Sequence, residues 1–68
     1  MTAIRSHDAR LRRLAEAARD ACIAAALEAY EDAALSGLCH EGAWEAAVGA
    51  IRRLDLDAVI GAVPRETE

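Results

Sequence analysis

Cys39, His40 and Glu41 stand side by side in the segment Ser36-Gly37-Leu38-Cys39-His40-Glu41-Gly42, the densest group of reactive side chains in the chain. A thiol at the start of a helix is a better nucleophile than an ordinary one, because the unpaired N–H groups of the first turn stabilise the thiolate. A neighbouring imidazole would assist it, so the trio is a redox or nucleophile candidate. The same residue types also ligate zinc or another soft metal. The spacing argues against both. Consecutive residues rarely wrap one ion, no second Cys/His pair follows at a familiar interval, and no further catalytic set accompanies the thiol. Two such segments meeting in a dimer would be needed to complete a four-ligand site. The plainer reading is a turn made by Gly37 and Gly42, carrying a half-buried cysteine and a solvated histidine. The chain is therefore expected to be no enzyme and to hold no cofactor, with Cys39, His40 and Glu41 as its only metal-ligand candidates.

The remaining polar groups point the same way. If a helix runs straight from Cys22 to Leu35, helical rise alone separates the two cysteines by about 20 Å, whereas a disulfide needs Cα atoms within about 7 Å. Cys22 is then a small hydrophobe inside a helix, and only an intermolecular bridge in an antiparallel dimer stays open. His7 beside Asp8 reads as surface electrostatics at a helix start. Arg5, Arg12 and Arg19 recur at heptad spacing with Arg13 nearby, a row that suits a phosphate backbone. Such a row is more often a solvated face with intrahelical pairs, here Arg12–Glu16 or Glu16–Arg19. The net charge of −4 also weighs against nucleic acid.

Positioning any of these groups requires a scaffold, and the composition says which kind. Sixty-eight residues make one small domain. Eighteen are alanine and none is phenylalanine. Alanine is the best helix former and lets helix axes approach closely. A high-GC genome would also produce this alanine content, together with eight arginines and no lysine. The larger apolar residues are few, so the core is thin and a chain like this gains from oligomerisation or a larger host assembly. Charge is uneven: residues 1–19 hold five arginines against Asp8 and Glu16, net +3, and residues 20–68 hold three against ten acids, net −7. The two ends attract each other between protomers, or the basic end meets an acidic partner. No segment reads as a signal peptide, and the most apolar run, Ala21 to Leu27, is far too short for a bilayer. Two cysteines without a leader imply free thiols in a reducing cytoplasm.

Residues 7–35 predict one long helix of about 43 Å, capped by Ser6 or Thr2, with Asp8 in its first turn and Ser36-Gly37 as its stop. At about 100° per residue its apolar face changes side. Ile4, Leu11, Leu14, Ala18 and Cys22 share one sector; Ile23, Leu27, Tyr30 and Ala34 form a stripe over the sector first held by Arg5, Arg12 and Glu16. A second helix over 41–54 carries Trp44, Ala47, Val48, Ile51 and Leu54 on one stripe. Its short connection forces an antiparallel hairpin, so it is expected to cover Tyr30, Leu27 and Ile23, with Trp44 as its anchor. Asp55 or Asp57 caps a third helix over 56–63, ended by Pro64, and 64–68 is a flexible tail.

Gly42-Ala43-Trp44-Glu45-Ala46-Ala47-Val48, with Ile51 and Leu54 following, resembles the second-helix half of a tetratricopeptide repeat. The resemblance covers residues 42–54. The large-small pattern of the preceding helix is missing and no second copy follows, so it implies a shared solution to helix-hairpin packing. The expected fold is all-α: a helical hairpin plus a short third helix, dimerising into a four-helix-type bundle. The expected function is that of a non-enzymatic helical interaction protein in the cytoplasm, a homodimer or an accessory subunit of a larger complex. Leu11, Leu14, Val59, Ile60 and Val63 are its candidate partner-binding residues. The alternatives are a redox or metal-binding accessory protein using Cys39, His40 and Glu41, and a nucleic-acid-associated regulator using the arginines of the first helix.

Overall fold

Residues 6–64 are described by a computed structural model, with side chains described from Asp8 onward. They form α1 (Ser6–Leu35), α2 (His40–Arg52) and α3 (Leu56–Ala62), with no strand among them. Thr2, Ile4 and Arg5 lie outside the described residues, as do 65–68 of the tail; the cap expected at Ser6 or Thr2 falls outside the described side chains.

α1 runs uninterrupted because neither glycine nor proline occurs between Ser6 and Leu35. It ends in a Schellman motif. The N–H of Leu38 donates to the carbonyl of Ala33 and that of Gly37 to Ala34, each at 3.0 Å. Gly37 sits at φ +94°, where a Cβ would be strained. α2 starts three residues later at His40, with Cys39 as its cap residue. α3 is capped by Asp55, whose carboxylate accepts from the N–H of Ala58 at 3.1 Å; Asp57 lies inside its first turn.

α1 packs against both α2 and α3, which do not pack on each other. Thirteen residues of α2 return about 20 Å along α1, and α3 continues beside the first half. α3 therefore docks in cis: Leu14, Val59 and Val63 are half-buried while Leu11 and Ile60 stay exposed. The body measures 50 × 27 × 15 Å with a radius of gyration of 15.8 Å, against about 11 Å for a compact domain of this length. Its thin dimension has room for a single rank of helices.

The seam inside that rank is made of small side chains. On α1 the row Ala18, Cys22, Ala25, Ala29 and Ala33 faces inward; on α2 it is Ala43, Ala47 and Ala50, with Leu54 at the end. Ala43, Ala47 and Ala33 are the buried residues, at 1%, 5% and 8% exposure. The inward face of α1 thus continues the sector of Leu14 and Ala18 and does not change side. The stripe of Ile23 and Leu27 points away from α2, at 51% and 58% exposure, and Trp44, expected to anchor α2, is 60% exposed. The reason is steric. Paired alanines let the helices approach along their whole shared length, whereas Ile23, Leu27 and Trp44 between the axes would hold them apart.

Ala43→Leu is accordingly expected to cost about 1–3 kcal/mol by overpacking, lowering the thermal midpoint by roughly 4–8 °C per kcal/mol. Ala24→Leu, at an exposed position, should stay within about 0.5 kcal/mol. Thermal melts followed by circular dichroism compare the two, and equal costs would refute the alanine seam.

Candidate functional site

The hairpin tip does not gather the trio. Successive residues of a helix project about 100° apart, so Cys39, His40 and Glu41 diverge around the start of α2, all exposed. The Cys39 side chain makes no capping hydrogen bond. The imidazole of His40 turns toward α1 instead. Its Nδ1 shares a 2.7 Å hydrogen bond with the Tyr30 hydroxyl, the tautomer deciding which group donates. The two rings meet edge-on, with centroids 5.8 Å apart at 71°. Tyr30 is thus the residue that engages His40, a partnership across ten positions that no local spacing rule signals. Among the described residues no group of three or more His, Cys, Asp or Glu side chains is placed to hold a metal. Cys22 and Cys39 are both free thiols.

The arginine row of α1 is partly neutralised. Nε of Arg12 donates to Oε2 of Glu16 at 3.1 Å, and Nε of Arg19 lies 3.6 Å from Oδ1 of Asp20. Both pairs are exposed, and an i,i+4 pair such as Arg12–Glu16 contributes only about 0.3–0.5 kcal/mol. Arg12, Ala15, Glu16 and Arg19 line an open depression on the helix surface.

The larger feature is a broad apolar face. Each of its members follows a seam or seam-flanking residue by one position: Ile23 after Cys22, Leu27 after Ala26, Tyr30 after Ala29, Trp44 after Ala43, Val48 after Ala47, Ile51 after Ala50. One position is a turn of about 100°. Because α1 and α2 are antiparallel, the same rotation carries both rows to the same side of the rank. The Tyr30–His40 contact bridges the two helices on that side. The positions one residue before the seam hold Glu28 and Asp32 on α1, and Gly42 and Gly49 on α2. One face is therefore apolar and the other acidic and small. Of the candidate partner-binding residues, Leu11 and Ile60 are exposed and Leu14, Val59 and Val63 are half-buried at the α1–α3 end.

No helix among the described residues is long and apolar enough to cross a membrane. No protein-family model, curated protein or solved structure matches the chain.

The exposure difference between the thiols makes a kinetic prediction. Cys39 is exposed and Cys22 half-buried within the seam. A maleimide should therefore label Cys39 first in the native protein, with the two rates converging in denaturant. Equal native rates, read by mass spectrometry of the peptides, would contradict the placement of Cys22.

Proposed function

We propose that this chain is a non-enzymatic helical interaction protein whose working surface is the apolar face of Ile23, Leu27, Tyr30, Trp44, Val48 and Ile51. The observation that carries the reading is the inversion of large and small: alanines fill the seam while Trp44, Leu27 and Ile23 are more than half exposed. An isolated tryptophan or leucine on a surface is ordinary. A contiguous set on one side of a thin body, opposite an acidic side, is the signature of a surface that works covered. Aromatic and aliphatic anchors flanked by polar groups are also the composition of interface cores. Leu11 and Ile60 are also exposed at the α3 end, with Leu11 on the sector of Leu14 and Ala18 rather than on this face. The protein acts as a subunit, paired with itself or seated on a larger complex in a reducing cytoplasm, where Cys22 and Cys39 stay thiols.

A photo-reactive phenylalanine analogue substituted for Leu27, Trp44 or Glu28 in the full chain tests the reading in the native host. Irradiation should give discrete covalent adducts from positions 27 and 44 and little from position 28, on the acidic side. Equal yields from all three, or none from 27 and 44, would remove the apolar face as a binding surface. The adduct mass separates pairing of two copies from a different partner.

A further inference from the structure

The row of α1 that crosses the outer edge of the apolar face is complementary to itself when reversed. Every fourth residue from Ala15 to Leu35, namely Ala15, Arg19, Ile23, Leu27, Glu31 and Leu35, is exposed. Residues at i+4 form one ridge on a helix surface. A two-fold axis between Ile23 and Leu27 sets Ile23 against the partner's Leu27 and Arg19 against the partner's Glu31. Apolar meets apolar, and positive meets negative on both flanks. Resting on the reading of this face as a binding surface, we infer that its occupant is a second copy of this chain, packed antiparallel along α1 about that axis.

Charge favours this orientation over the parallel one. Arg10, Arg12, Arg13 and Arg19 sit in the first half of α1, and no arginine follows until Arg52. Asp20, Glu28, Glu31, Asp32, Glu41 and Glu45 occupy the stretch between. Parallel stacking sets arginine on arginine and acid on acid; antiparallel stacking sets each end of α1 on its opposite. The ion pair of Arg19 with Asp20 is long and solvated, so its guanidinium reaches across at little cost. The ridge also offers apolar surface to cover, with Ile23 and Leu27 at its centre 51% and 58% exposed. A self-complementary patch is what a closed two-fold dimer requires.

Sedimentation equilibrium on the purified full chain tests the inference, with helicity of every variant checked by circular dichroism. The wild type should be dimeric and should weaken with added salt. Arg19→Glu and Glu31→Arg each place two like-charge contacts in the homodimer and should weaken it by roughly tenfold. Mixing the two variants restores opposite charges at both sites, as does combining both substitutions in one chain, and either should return affinity to within about threefold of wild type. In a parallel dimer neither single variant would weaken association and the combined variant would gain nothing. A wild type monomeric at all concentrations, single variants as tightly paired as wild type, or a mixture that stays as weak as its components would each overturn the inference. Adducts of another mass from positions 27 and 44 would at the same time leave the binding surface itself standing.

Discussion

The close approach of α1 and α2 along small side chains is the constraint on which the rest of this structure depends. Ala33, Ala43 and Ala47 are buried because nothing larger fits between the axes. Ile23, Leu27 and Tyr30 on α1 and Trp44, Val48 and Ile51 on α2 are then displaced by one helical step, to the same side of both helices. The energetics follow from this geometry. A methyl group removed from water is worth about 0.8 kcal/mol, and a leucine or isoleucine side chain several times that. The seam therefore fixes how the helices meet, while most of the apolar surface able to stabilise the protein lies outside it. A body of this kind gains stability from whatever covers its broad face.

The connections serve the same arrangement. The Schellman turn at Gly37 closes α1 within two residues, so α2 begins at once and lies antiparallel along the second half of α1. α2 is less than half the length of α1, which leaves the first half to be covered by something else. Asp55 restarts the chain as α3 and supplies that cover, half-burying Leu14, Val59 and Val63. Two turns of helix would not persist in water alone; α3 exists because α1 offers it a surface.

The all-helical class, the three elements and the stop at Gly37 were legible because they are written locally, in propensity, periodicity and turn chemistry. Which face turns inward was not. Counting large hydrophobic residues assigns Trp44, Val48 and Ile51 to the seam of α2, and Ile23 and Leu27 to that of α1. The structure places alanines there, since closeness of approach outweighs the size of any one side chain. The signal was nonetheless present. Small-large pairs such as Ala29-Tyr30, Ala43-Trp44 and Ala47-Val48 recur at helical spacing, and in an antiparallel hairpin that order puts every large member on one side. The tip was misleading for a related reason. Cys39, His40 and Glu41 are adjacent in sequence, but a helix start spreads neighbours around its axis, and the partner His40 finds is Tyr30 on the other helix.

That partner also gives the tip a role that needs no chemistry of its own. His40, Trp44 and Val48 lie at i, i+4 and i+8 on α2, so the Tyr30–His40 hydrogen bond sits at the end of the apolar row. Interfaces commonly surround an apolar centre with polar groups whose hydrogen bonds are already made, because an unmade one costs more to cover than a satisfied one. An imidazole and phenol hydrogen-bonded to each other at the edge of the Trp44 surface fit that pattern. Joined across α1 and α2, they also hold the two apolar rows in one plane where the hairpin is furthest from α3. Of the cluster that first suggests a nucleophile or a metal, His40 is in this geometry part of the polar edge of the apolar face.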